Sequence, residues 1–134
     1  MPRSPWRKVL RELGIGSQRY IVKLVWYYNN ALGRSAKKKI ISRRKAYHGV
    51  TVASASLTGL PNNHRDFDLP IANILHVECP HWYRFSEAGE SEEAFASRLA
   101  GSLEQRILSE GPDTVAAMIV EPIMGAVLLL PPAT

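Results

Sequence analysis

The chain has 134 residues, 46% of them hydrophobic and 22% charged, with a formal net charge of +5 and one cysteine. That length carries one modest core, and that balance excludes an intrinsically disordered chain. No apolar run reaches the roughly 18 residues of a membrane span, residues 1–14 are too charged for a signal peptide, and the lone Cys79 excludes an internal disulfide framework, so the expected location is cytoplasmic.

The basic charge sits at one end. The first twenty residues hold five Lys and Arg against one Glu, and the remainder holds 12 against 11. A generally basic body is therefore excluded, and with it the simplest nucleic-acid reading. The cluster Lys37-Lys38-Lys39 and Arg43-Arg44-Lys45 brackets an apolar pair and has no interleaved aromatics, as at a solvated strand entrance.

In chain order the pattern alternates helix and strand. Val22 to Leu32 sets Val22, Val25, Trp26 and Asn29 on one helical face, with Gly33 where a glycine cap would end it. Lys39 to Ser42 is a short apolar strand. After the Tyr47-His48-Gly49 turn, Val52 to Leu57 is a small-residue helix ended by Gly59, and Pro61 to Pro70 is a loop. Ile74 to Glu78 is a second strand. Ser91 is an N-cap for a helix reaching about Ser109, its first turn acidic through Glu92 and Glu93, its buried stripe formed by Leu99, Ala100, Leu103 and Ile107. Gly111-Pro112 breaks that helix. Val115 to Val120 is a continuous apolar run of the kind found in a central parallel strand, and Glu121 follows at its C-terminal end, where open α/β sheets place ligands. The fold class is α/β.

The chemistry concentrates at Tyr47, His48, Gly49 and Glu121. An aromatic ring stacks on a flat heteroaromatic ligand with about 0.5–1.5 kcal/mol beyond burial, and a following glycine allows close backbone approach. Alone, the tripeptide reads better as an ordinary core tyrosine before a turn. Its context extends the match: Lys38 to Ser42, Ala46 to Thr51, Asp66-Phe67-Asp68-Leu69-Pro70, His81-Trp82-Tyr83-Arg84 and Glu121 to Gly125 together resemble the middle of a class III (omega) aminotransferase, nearly without gaps from Val22 to Met124.

That resemblance implies a fragment of the large cofactor-binding domain of a fold-type I pyridoxal-phosphate-dependent transferase. It implies that Tyr47 stacks on the pyridine ring, that His48 and Gly49 accompany it, and that Glu121 lies beside the cofactor. His48 receives no proton-transfer role, because the family's acid and base is a lysine. The implied reaction moves an amino group from an amine or omega-amino acid donor to an oxo acid such as pyruvate, in a protein that is a homodimer at full length. The implied partners are those two substrates, with no nucleic acid and no membrane. Ala126 stands where several relatives carry a second glutamate, which favours the amine or omega-amino acid to pyruvate branch. No catalytic residue is assigned in this chain: the aspartate that pairs with the pyridine nitrogen and the Schiff-base lysine belong to later regions of the family pattern.

A third family element is replaced. Members hold the cofactor phosphate with a Ser-Gly-Ser-Glu-Ala-Asn-Asp-Thr loop at a helix N-terminus, where this chain reads Leu13-Gly14-Ile15-Gly16-Ser17-Gln18-Arg19-Tyr20. Written as CTC GGG ATC GGA AGC CAA CGA TAC and read from its second base, that segment spells Ser-Gly-Ser-Glu-Ala-Asn-Asp and the first two bases of threonine. Residues 1–20 are therefore expected to be an aberrant, frameshifted N-terminus, with one base lost just before Ile21, and 21–134 a partial aminotransferase large domain. Gly125-Ala126-Val127-Leu128 lacks a glycine pair that relatives carry, which points to a second small lesion.

Two rival readings come from other classes. His76, Cys79 and His81 are close in sequence, but a fourth zinc ligand would have to come from remote His64 or His48, so no metal site is assigned. The Trp26-Tyr27-Tyr28 run reads as straddling core and subunit interface. The functional alternative is a noncatalytic binding or scaffold remnant, including a basic nucleic-acid module using Arg34 to Lys45, which salt-sensitive binding would reveal.

Overall fold

The computed structural model describes residues 18–125. Helix α1 spans Gln18–Ala31, beginning four residues ahead of the expected Val22. Val22 and Asn29 are buried and Val25 and Trp26 half-buried, so the face read from their spacing is the one turned inward. The helix closes in a Schellman arrangement, the Arg34 N–H donating to Asn29 O at 2.8 Å and the Gly33 N–H to Asn30 O at 3.0 Å. Trp26 then ties the helix to the first strand. Its Nε1–H donates to Lys38 O at 2.9 Å while the Lys38 ammonium donates to Trp26 O at 3.2 Å.

Strands β1 (Lys39–Arg43), β2 (Ile74–Val77) and β3 (Val115–Met118) form one parallel sheet in the order β2-β1-β3. Alternation assigns their two faces. Ile40 pairs with Ile74 and joins Val22 and Leu57 in the main core, packed by Ala53, Ile71 and Ile119, so that face meets α1 and the short helix α2 (Val52–Leu57). Lys39, Ile41 and Arg43 point the other way, toward helix α4 (Glu92–Glu110), where the Lys39 ammonium pairs with the Glu110 carboxylate at 2.8 Å. The result is a three-layer α/β unit. A single helical turn, α3 (Trp82–Phe85), precedes α4.

Caps account for the ends of α2 and α4. Thr51 and Ser54 form a reciprocal capping box at the start of α2, and the Ser91 hydroxyl accepts from the Ala94 N–H at 3.2 Å at the start of α4.

Three expectations need correction. Gly59 does not end α2, because Thr58 is the C-cap; Gly59 instead lies backbone to backbone against Arg43, Arg44 and Lys45. The stripe on α4 is only partly buried: Phe95 is enclosed, Leu99, Leu103 and Ile107 are half-buried, and Ala100 is exposed. A cavity of about 220 Å³ separates Leu99 and Leu103 from Val77 and Met118 on the sheet, so the helix does not seat fully on it. Finally, β3 is apolar enough for a central strand but is an edge strand among the described residues, half-buried and ending at Met118, although the Ile119 N–H still donates to Ile41 O at 2.9 Å.

Candidate functional site

In a parallel sheet all strands end on one side, and the crevice outside those carboxyl ends is where ligands collect. The turn after β1 carries Tyr47, and the segment after β3 carries Glu121; because β1 and β3 are neighbours, residues 74 apart in sequence arrive at one edge. Tyr47 is 39% exposed. Its backbone amide faces the Glu121 carboxylate, which burial nevertheless holds above the usual carboxylate range. Glu121 Oε2 is buried without a hydrogen-bond partner, an acceptor turned inward with nothing donating to it.

His48 points elsewhere. The residue is 2% exposed, with Nε2 3.1 Å from the Ser42 hydroxyl on β1 and Nδ1 unpartnered. Its backbone N–H donates to Thr58 Oγ1 at 2.9 Å, and that hydroxyl reaches Ser54 O at 3.0 Å and Gly49 O at 3.2 Å. Gly49 has φ +116°, and a Cβ there would meet Ser54 Oγ at 2.9 Å. A conformation that disfavours side chains and a close neighbour thus select glycine at this position. The turn that presents Tyr47 is therefore held from beneath by Ser42, Ser54 and Thr58. In the sequence only the Thr51-x-x-Ser54 spacing, which suits a helix N-cap, points to any of the three.

Burial sets the protonation of His48. Desolvation first, and the neighbouring His76 second, lower its pKa to about 4, against about 6.5 for a free imidazole. Between those values the unfolded chain binds a proton that the folded chain refuses. The stabilisation is thus complete above pH 6.5 and lost as pH falls toward 4, by about 3 kcal/mol in total. Urea midpoints should fall across that window, and His48→Gln should flatten the dependence; an unchanged slope in the variant would show that His48 is not the group responsible.

His76 Nε2 lies 3.4 Å from Leu57 O and Cys79 packs with Ala46 and Met124, and among the described residues no group of three His, Cys, Asp or Glu could hold a metal ion. Part of the basic cluster is tied into the structure, while Arg44 is exposed and neither it nor Lys45 has a carboxylate partner among the described residues. Lys38 bonds Trp26 and Asn30, Lys39 bonds Glu110, and Arg43 is half-buried with its pKa lowered by desolvation. No helix of the described residues is long and apolar enough to cross a membrane. Of the segment Leu13 to Tyr20 that stands at the phosphate-loop position, residues 13–17 lie outside the described residues and Gln18 to Tyr20 open α1; Ala126 to Leu128 lie outside them as well.

The parallel sheet brings an exposed aromatic residue and a part-buried carboxylate to its C-terminal edge, the side on which open α/β sheets bind ligands. The chain belongs to the class-III aminotransferase family, whose model matches residues 9–133. It is 62% identical over 111 residues to gamma-aminobutyrate transaminase 1, mitochondrial, of Oryza sativa subsp. indica, covering 83% of this chain and 22% of that protein. It is 62% identical over 114 residues to vanillin aminotransferase of Capsicum frutescens, covering 84% and 25%. Among solved structures, the omega transaminase of Pseudomonas jessenii in complex with PMP superimposes with a TM-score of 0.85 at 64% identity, covering 89% of this chain and 26% of that one. The chain thus spans about a fifth to a quarter of the length of the curated relatives it matches. Its fold is that of part of a fold-type I transaminase, and its family depends on pyridoxal phosphate.

Proposed function

We propose that the edge between β1 and β3 is one wall of a pyridoxal phosphate site, in a protein that transfers an amino group from an amine or omega-amino acid to an oxo acid such as pyruvate. The observation that carries this reading is the convergence of Tyr47 and Glu121 at that edge, with the Glu121 acceptor unpartnered. The residues fit the group. The Tyr47 ring offers a flat face for stacking, Gly49 keeps the turn narrow, and Glu121 supplies an acceptor for a bound donor. When bound, the cofactor supplies the electron sink that makes amino transfer possible.

The chain's own residues position and do not transfer protons. His48, neutral and enclosed, props the turn through Ser42, while Thr58 fixes the backbone of His48 and Gly49. The test is equilibrium dialysis of the chain with pyridoxal phosphate. Weak, saturable binding is expected, reduced at least fivefold by Tyr47→Ala; equal affinity in the variant would remove Tyr47 from the site.

Domain organisation follows the same reading: we propose residues 1–20 as out-of-frame sequence and 21–134 as part of the large domain. The locus should encode the Ser-Gly-Ser-Glu-Ala-Asn-Asp-Thr loop one frame away, with aminotransferase coding sequence upstream of it. Upstream DNA lacking such sequence would sink the frameshift. For the family's homodimer, we propose that the outer face of α1, where Leu24, Tyr27 and Tyr28 are exposed, takes part in the contact. Sedimentation of a full-length relative with a lysine at the position of Tyr27 would test it, an undiminished dimer counting against this face. The proposed location is cytoplasmic, testable by fractionation, with recovery in organelles the contrary result.

A further inference from the structure

A second cavity lies at the same end of the sheet, lined from the exits of β1 and β2 and from α3 and α4, with neither Tyr47 nor Glu121 in its lining. Its volume is about 510 Å³, within the size range of small-molecule sites, and its walls combine apolar surface with a few polar groups. Cys79, Phe85, Phe95 and Leu99 supply the apolar part. Arg44, Lys45 and Arg98 bring three positive charges to the lining, against the single carboxylate of Glu78.

Those cations are not equivalent. Arg98 is committed, its guanidinium bonding Glu90 through Nε at 2.8 Å and through a terminal nitrogen at 2.9 Å, and reaching Phe85 O at 3.0 Å. Lys45 and Arg44 have no carboxylate partner within the described residues. Lys45 adopts φ +65°, an uncommon conformation for a residue with a side chain, and its ammonium lies 4.8 Å from the centre of the Phe85 ring. A cation held over an aromatic wall at the mouth of an apolar cavity can still receive an anion on its open side.

We propose that this cavity is a separate binding site for an amphiphilic monocarboxylate, its carboxylate taken by Lys45 and Arg44 and its apolar body lodged against Phe85, Phe95 and Leu99. Glu78 at the lining disfavours a second negative charge, so a monoanion fits better than a dianion. None of these residues belongs to the Tyr47–Glu121 edge.

Cys79 reports occupancy, since it is the chain's single cysteine, lines the cavity and is nearly enclosed. The experiment measures alkylation of Cys79 by iodoacetamide in the 134-residue chain, with 4-phenylbutyrate as the probe and 4-phenylbutanamide as its uncharged counterpart. The carboxylate should slow labelling at least fivefold and the amide should not. Lys45→Asn removes the charge with a residue that tolerates the left-handed backbone, and it should abolish most of the protection, whereas Lys45→Arg should keep it and Tyr47→Ala should leave it unchanged. Equal protection by the amide, full protection in Lys45→Asn, or loss of protection in Tyr47→Ala would each overturn the proposal. So would labelling at the denatured-chain rate with or without the probe.

Discussion

Gly59→Ala should lower the stability of the chain by on the order of 2–6 kcal/mol. A Cβ at this position would sit 2.2 Å from Arg43 O, 2.6 Å from Arg44 Cα and 2.9 Å from Lys45 N. All three are backbone atoms, so no side chain can rotate away. The two segments must separate, which breaks the Lys45 N–H to Gly59 O bond at 2.8 Å and the Gly59 N–H to Ala46 O bond at 2.9 Å. Overpacking costs roughly 1–3 kcal/mol and each of the two lost bonds about 0.5–1.5, together on the order of 2–6 kcal/mol against a native stability of about 5–15. The same change at Gly101, exposed on α4 with no atom within 4 Å, should instead stabilise by about 0.5–1 kcal/mol. Urea unfolding of both variants checks the pair. A Gly59→Ala midpoint within error of the parent would mean that the two backbones do not approach as described. The effect also reaches the site, since Gly59 braces the residues leading into Tyr47.

The second large effect is complete: the 134-residue chain supplied with pyridoxal phosphate, an amine donor and pyruvate should form no alanine above a cofactor-only blank. The family chemistry needs a lysine that anchors the cofactor and moves the proton. Among the described residues no lysine hydrogen-bonds or ion-pairs with Tyr47 or Glu121. Lys38 and Lys39 are tied to α1 and α4, and Lys45 is turned over Phe85. Borohydride reduction followed by peptide mapping gives an independent reading, with scattered low labelling expected. Alanine formation together with one specifically modified lysine would show an active site rebuilt within this chain.

Much of this architecture can be read from residue pattern. Val22, Val25, Trp26 and Asn29 at helical spacing identify the inner face of α1, and the apolar runs around Ile40, Ile74 and Val115 mark three strands whose parallel order brings Tyr47 and Glu121 to one edge. Less legible is anything that depends on two distant backbones meeting. Gly59 follows a helix and so resembles a cap, yet its conformation is unremarkable and its neighbour is a strand exit 15 residues earlier. Periodicity on α4 picks out Leu99, Leu103 and Ile107 but cannot say how closely the sheet approaches them, and here a cavity intervenes. Nor does adjacency to an exposed tyrosine tell which way His48 turns. That is decided by Ser42 on β1 and Thr58 after α2, whose hydroxyls meet the turn only in three dimensions.

The most direct measurement on the proposed site is hydrogen exchange of the chain with and without pyridoxal phosphate, read by mass spectrometry on short peptides. Slower exchange is expected in the segments 46–51 and 119–124 when the cofactor is present, with α4 unchanged. Protection confined to α4 and the segment 78–85, or absent throughout, would contradict a cofactor wall at the edge between β1 and β3.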